Sequence, residues 1–297
     1  MDWFKRMNDA ITYIEENLDD EIDYHQISRL THCSVYHFQR MFSFMANISV
    51  ATYIRLRRLT LAAIDLQASE EKVIDIAMKY GYDSPTAFSR AFQKFHGFAP
   101  SQAKNEGVEF TSYPPLAFQI TIKGVTAMNY RIEKKNAIRI VGAKLTTTTL
   151  DDKNLHDIPE FWTQCNQSGL SMKIASLIDT VPLDGEHKPN TLAGLLGVCV
   201  MPPDGGEVFD YYIAAATDKP APEGMAEHVI PAAQYAVFQS IGPMPHALQD
   251  LTQRIFTEWL PSSGYDYGDG ADIEVYSDGD TQAEDYKSEV WVPIAKG

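Results

Sequence analysis

The 297-residue sequence predicts a multidomain chain, with an all-α first third followed by an α+β domain. Three observations carry that prediction. A segment near the front, Ser34-Val35-Tyr36-His37-Phe38-Gln39-Arg40-Met41-Phe42, recurs fifty residues later as Ser84-Pro85-Thr86-Ala87-Phe88-Ser89-Arg90-Ala91-Phe92. Apolar spacing is helical up to Pro100, and strand-forming stretches dominate beyond it. Past residue 110 the order strand, helix, strand, strand occurs twice, the pattern of an internally two-fold α+β domain.

The first helix is marked by Trp3, Met7, Ile11, Ile14 and Leu18, spaced by three and four residues along one face. Asp19-Asp20-Glu21 breaks it, and a short helix opens at Asp23 or Tyr24 and ends near His32. The next helix runs from an N-cap at Ser34 to about Ala46 and stops at Asn47, a residue that tolerates the left-handed cap conformation. Gly97 fills the same place in the second copy. Short apolar helices, Ile27 to Leu30 and Ile76 to Tyr80, precede the two copies, so each reads as a helix-turn-helix unit. Between them, Val50 to about Gln67 lacks Gly and Pro and predicts one strut of about 27 Å at 1.5 Å per residue. Two reading helices held so apart suit neighbouring turns of a DNA major groove, about 34 Å apart.

A linker near Asn105-Glu106-Gly107 leads to predicted strands at Phe118–Ile122, Tyr130–Ile132, Ile138–Val141, Leu192–Val200, Val208–Ala214, Tyr235–Ile241, Ile273–Tyr276 and Val290–Ile294. Helical spacing interrupts them from Pro159 to about Leu170 and from His246 to Leu260. The expected domains are 1–106 and 110–297.

The net charge of −15 is unevenly placed. Residues 1–108 carry 12 basic and 14 acidic residues, whereas 109–297 carry 13 and 26. A near-neutral helical domain can bind DNA through local groups, while the acidic one would be repelled by phosphate. Arg55, Arg57 and Arg58 on the strut read equally as a solvated face or as phosphate contacts. The three cysteines are isolated, and the histidines have no metal-ligand spacing, so no metal and no cofactor is expected. With no signal pattern and no membrane-length apolar run, the expected location is cytoplasmic and no membrane partner is expected.

Ile76-Ala77, Gly81-Tyr82, Ser84, Phe88-Ser89-Arg90, Phe92, Lys94, Gly97 and Pro100 resemble the signature of AraC/XylS-type transcriptional regulators, whose DNA-binding domain is a homeodomain-like double helix-turn-helix. Residues from about 110 to 294 resemble the gyrase-inhibitor-like small-molecule-binding domain. That resemblance rests on Tyr130-Arg131-Ile132, Ile138 to Gly142, Ile158 to Trp162, Ile273 to Tyr276 and Glu289 to Ile294. Together these imply a regulator that binds double-stranded promoter or operator DNA, responds to a small-molecule effector and contacts RNA polymerase.

By that resemblance Tyr36, Gln39 and Arg40 in the first copy, and Pro85, Thr86, Ser89 and Arg90 in the second, face base edges. The chemistry agrees, since Arg bonds guanine bidentately and Gln does so with adenine. Pro85 cannot hydrogen-bond a base, so the first copy is expected to set most of the specificity. The plainer reading of Arg40 and Arg90 is an internal salt bridge or a phosphate contact. Lys94 is a backbone-contact candidate. In the second domain, Glu289 lies in a strand between apolar residues, where a carboxylate needs a partner. In the resembling domains a glutamate of the last strand faces the ligand cavity. Tyr130, Trp162, Tyr211, Tyr235 and Trp291 are candidate walls for a cationic or aromatic ligand, each with simple core as the plainer reading. Glu274 is a second carboxylate, read more plainly as a solvated strand face. A one-residue slip in strand register reverses every such assignment. Two rival readings remain. Glu289 with Tyr211 or Tyr235 could hydrolyse strained electrophiles, or the acidic domain could dock basic proteins.

Overall fold

The first hundred residues fold into the helices that their caps and apolar spacing dictate. The computed structural model describes residues 3–105, 107–118, 127–149, 153–178, 192–202 and 208–296. Six helices come first: α1 Trp3–Glu16, α2 Tyr24–Thr31, α3 Val35–Ala46, α4 Val50–Ala68, α5 Val73–Lys79 and α6 Pro85–His96. Asp23, Ser49 and Ser84 cap α2, α4 and α6 by accepting backbone N–H bonds from His25, Thr52 and Ala87. The stops match too, with Asn47 at φ 57° and Gly97 at φ 86°. The chain divides into two compact units, Met1–His32 with Ala46–Thr121, and Cys33–Met45 with Ile122–Gly297. Residues 33–45, expected with the helical half, group with the second unit.

In the first unit Leu59, Leu66, Ile76, Phe88 and Phe92 form a buried core, with Phe98 and Phe110 packed against it. Arg57 holds Glu15 through Nε at 2.9 Å and Nη2 at 2.8 Å, and donates to the Tyr113 carbonyl at 2.6 Å. Arg58 donates to the carbonyls of Leu18 at 2.8 Å and Asp20 at 2.6 Å. These two arginines brace helices and carbonyls rather than standing as an open basic face. The stretch after the expected linker is strapped to the same unit. Tyr113 N–H donates to Thr60 Oγ1, Leu116 N–H to the Tyr53 hydroxyl, and Phe118 exchanges two bonds with the Asn8 amide. Phe118 is not in a strand, and the rest of the strand expected at 118–122 lies outside the described residues.

The second unit is an antiparallel sheet of β1 Tyr130–Lys135, β2 Ile138–Thr148, β3 Leu195–Val200, β4 Val208–Ala216, β5 Ala226–Ile230, β6 Ala233–Ile241, β7 Tyr265–Tyr267, β8 Asp272–Tyr276 and β9 Lys287–Lys296. Its order is β1-β6-β9-β8-β3-β4-β2-β5, with β7 pairing on β9. The helices are α7 Lys153–Gln167, α8 Leu170–Ala175, α9 His246–Arg254 and α10 Leu260–Ser263, with a π-helical turn at Ile255–Trp259 joining the last two. The strand-helix-strand-strand repeat is present: β2-α7-β3-β4 and β6-α9-β8-β9 meet where β3 pairs with β8. Pro159, expected to open its helix, lies inside α7, which starts at Lys153. Proline favours the first helical position but is not confined to it.

Side chains alternate across a strand, so the register assigns each to a face. One face is an apolar layer containing Ile140, Val198, Tyr212, Tyr235, Ile273 and Trp291. On the other, Cys199, Tyr211 and Ile213 pack with Cys165, Ile174, Phe161 and Trp162 from α7 and α8, and with Tyr36 of α3.

Candidate functional site

The helix-covered face has a row of polar side chains where the two repeats meet. Cys199 of β3 lies opposite Tyr211 of β4 and Asp272 of β8, and Gly197 lies opposite Ile213 and Glu274. The missing side chain of Gly197 creates the room between them. A Cβ there would stand 2.4 Å from the Tyr211 hydroxyl and 3.0 Å from Glu274 Oε2. Tyr276 donates to Glu274 Oε2 at 2.7 Å. Trp162 of α7 donates from Nε1 to the Tyr211 hydroxyl at 2.9 Å, and its ring meets Tyr276 edge-on at 5.1 Å. Glu274 thus sits beside two tyrosines that Trp162 ties together. Burial pushes its carboxyl above the ordinary value, while Arg40 and the Tyr276 hydroxyl pull the other way. Burial also raises the Cys199 thiol to about 12, so it is no nucleophile at neutral pH.

Glu289 lies on the opposite face, because its β9 register pairs it with Val275 and Gln239, whereas Glu274 pairs with Val290. Both Glu289 oxygens are held by Arg131, at 2.8 and 3.0 Å, and Trp291 Nε1 donates to Oε2 at 2.9 Å. The Trp291 ring in turn lies under Arg131 at 5.5 Å and Lys135 at 5.1 Å. Its partner cation is therefore internal. Tyr235 shares that face, fully buried against Trp291. Tyr130 is on the helix side but at the β1 edge, against Phe238 and Trp259. The six expected ligand residues are thus not one group. Trp162 and Tyr211 meet Glu274, Tyr130 stands apart on their side, and Glu289, Trp291 and Tyr235 occupy the other face. Of the two tyrosines considered with Glu289 for hydrolysis, Tyr211 is separated from it by the sheet, whereas Tyr235 shares its face. Glu274, expected on a solvated face, is half-buried, since β8 turns it towards the helices.

The two helices expected to read DNA differ. In α6, Pro85, Thr86, Arg90 and Lys94 are exposed and Ser89 is half-buried. Phe88 and Phe92 are fully buried, so the helix presents one polar face. In α3 the equivalent positions are covered. Tyr36 is 3% exposed and Gln39 6%, and the Arg40 side chain is 18% exposed. Arg40 Nε lies 3.3 Å from Asp272 Oδ2 in an ion pair without hydrogen-bond alignment. Its guanidinium lies over the rings of Phe44 and Phe256, at 5.4 and 5.9 Å, and its Nη1 is 4.0 Å from Cys199 Sγ. Tyr36 packs on Phe209 at 5.0 Å, His37 on Tyr267 at 3.9 Å, and Gln39 accepts from the Thr149 hydroxyl. Burial lowers the His37 pKa to about 4. The plainer reading of Arg40, an internal salt bridge, is the one the structure has, whereas its partner Asp272 was not singled out from the sequence.

Residues 128–295 match the family model described as the GyrI-like small molecule binding domain. The chain belongs to the GyrI-like small-molecule-binding family. Residues 27–106 match a helix-turn-helix domain. The regulatory protein SoxS of Escherichia coli K12 is 35% identical over 101 residues, 34% of this chain and 94% of SoxS. The uncharacterized HTH-type transcriptional regulator YbfP of Bacillus subtilis is 37% identical over 108 residues, 36% of this chain and only 37% of YbfP. The chain therefore spans nearly all of SoxS but little more than a third of YbfP. The structure of SAV2435 bound to tetraphenylphosphonium shares 26% identity, over 57% of this chain and 94% of its own, with a TM-score of 0.48. This GyrI-like protein is a transcriptional regulator that joins an AraC-type helix-turn-helix DNA-binding region to a small-molecule-binding domain. Among the described residues no helix is long and apolar enough to cross a membrane.

Proposed function

We propose that the effector is an organic cation with aromatic faces, seated against Glu274 between Trp162, Tyr211 and Tyr276. Its binding alters occupancy of promoter DNA by the helix-turn-helix region. The observation that carries this reading is the aromatic cluster beside a carboxylate that, among the described residues, has no ion pair of its own. Arg40 is paired with Asp272 and Arg131 with Glu289. A cation placed there gains both the carboxylate and the ring quadrupoles in a site shielded from water. Glu289, already neutralised by Arg131, offers no such gain.

The division of labour is residues 1–106 for DNA and 110–297 for the effector, in the cytoplasm, with RNA polymerase as the partner that receives the output. In α6, Thr86, Ser89 and Arg90 read bases and Lys94 meets phosphate. The second domain binds its ligand without converting it. Calorimetric titration of the full chain with tetraphenylphosphonium, chosen for its charge and flat aromatic groups, tests the site. Glu274→Gln weakens binding about tenfold and Glu289→Gln leaves it unchanged. The reverse pattern would move the ligand to the other face, and a changed mass of the recovered ligand would make the domain an enzyme.

A further inference from the structure

Fifty residues separate two helices that share Ser, Phe, Arg and Phe, so the places where they differ are informative. Tyr36 stands where the second copy has Thr86, and Phe44 where it has Lys94. In both cases an aromatic replaces a group suited to polar nucleic-acid contact, and both aromatics are engaged by the effector domain, Tyr36 by strand β4 and Phe44 by the π-helical turn. Tyr36 packs on Phe209, and Phe44 stacks on Phe256 at 5.2 Å with the rings 14° from parallel. With Phe38 and Phe42 fully buried as well, α3 is apolar around most of its circumference, the pattern of a buried helix. Between its two aromatic contacts it delivers Arg40 to Asp272, on the strand and face that carry Glu274 two residues on.

We infer that α3 is a tethered occupant of the effector cleft, its Tyr36 and Arg40 filling the space beside Glu274 while Arg40 pairs with Asp272 two residues away, so that effector binding displaces the helix and exposes Tyr36, Gln39 and Arg40 for DNA. This rests on Glu274 and its aromatic neighbours being the effector seat. A reading residue in contact with Phe209 or Asp272 cannot at the same time reach a base edge, so the docked helix leaves α6 as the exposed reader. A ligand that binds only when α3 is out has its affinity reduced by the fraction of molecules in which the cleft is open. By the same linkage it raises the affinity of the first copy for DNA.

The test uses the full chain in two arms. In the first, tetraphenylphosphonium is titrated into wild type, Arg40→Ala and Glu274→Gln. The tethered-occupant account expects Arg40→Ala to bind about tenfold tighter and Glu274→Gln about tenfold weaker. If Glu274→Gln weakens binding while Arg40→Ala leaves it unchanged or weaker, the inference is overturned and the effector seat stands. If Glu274→Gln has no effect, the seat itself is wrong, and with it the competition.

In the second arm, Asp272→Asn and Phe256→Ala change only the sheet side and leave the reading helix intact. Their affinity is measured for a 30-base-pair duplex selected by wild type, in the presence of the phosphonium, from a random pool. Both variants should bind the duplex about tenfold tighter than wild type without phosphonium and gain little on its addition. Folded-state checks by near-UV circular dichroism accompany both. Affinity no higher than wild type in the folded variants would overturn the inference independently of the ligand arm.

Discussion

Replacing Gly197 by alanine is a sharp probe of the polar row, because the clash it creates has one main partner. The added Cβ would stand 2.4 Å from the Tyr211 hydroxyl oxygen, 3.0 Å from Glu274 Oε2 and 3.3 Å from Tyr211 Cζ. The first distance is far inside van der Waals contact, so Tyr211 or the strand must shift, an overpacking cost of about 1–3 kcal/mol. Tyr211→Phe alone removes the acceptor of Trp162 Nε1–H, with an expected cost of about 1 kcal/mol. In the double variant the offending oxygen is gone, and the tightest remaining contacts are those at 3.0 and 3.3 Å. Most of the Gly197→Ala penalty should vanish, giving a favourable coupling of about 1–2 kcal/mol in a double-mutant cycle. Urea unfolding of the four proteins at unchanged m-value measures it. Penalties that add to within about 0.5 kcal/mol would refute the assigned contact between Gly197 and the Tyr211 hydroxyl.

Arg57→Ala should destabilise the helical unit by about 3 kcal/mol, because it strips a bidentate partner from Glu15 inside the fold, and Arg57→Lys should recover only part of it; thermal unfolding of both variants measures the difference. Acidification should loosen α3. With His37 lowered from 6.5 to about 4 by burial, its contribution is intact above pH 6.5 and is lost as the pH falls towards 4, by up to about 3 kcal/mol. Asp272 and Asp269 face His37 and oppose the shift, Arg40 adds to it, and the raised Glu274 carboxyl contributes in the opposite sense, its stabilisation lost as pH rises. Protection of the α3 amides at pH 7 and pH 4.5, in wild type and His37→Gln, separates these, the variant being the less pH-dependent. Arg90→Ala should lower affinity for the selected duplex by about tenfold or more and relax its sequence preference, whereas Lys94→Ala should weaken all duplexes alike and flatten the salt dependence, as read by mobility shift.

The helical unit is legible because its signals are local. Ser84, Asn47 and Gly97 mark starts and stops that the backbone obeys, and the repeat at fifty residues aligns them. The strand-helix-strand-strand order is legible for the same reason, while β5 and β7 are short and carry too little apolar alternation to stand out. The face of a strand is a different matter. Both Asp272–Tyr276 and Lys287–Lys296 bury residues on both sides, so neither shows the in-out alternation that would separate Glu274 from Glu289. Only pairing across β3 and β8 does so, and that is non-local. Gly197 is the nearest thing to a sequence signal, and its meaning depends on which hydroxyl and carboxylate approach it. The docking of α3 had a visible trace in Tyr36 and Phe44, aromatics on what should be the polar face. A reading of that helix against DNA alone explains Arg40 and Gln39 but leaves those two rings without a purpose.

Hydrogen exchange at the amides of α3 in the full chain, with and without saturating tetraphenylphosphonium, addresses the coupling of effector and reading helix most directly. Displacement predicts that exchange across Val35–Ala46 quickens about tenfold while α6 is unaffected. Unchanged or slower exchange in α3 on a chain that has bound the phosphonium would contradict it.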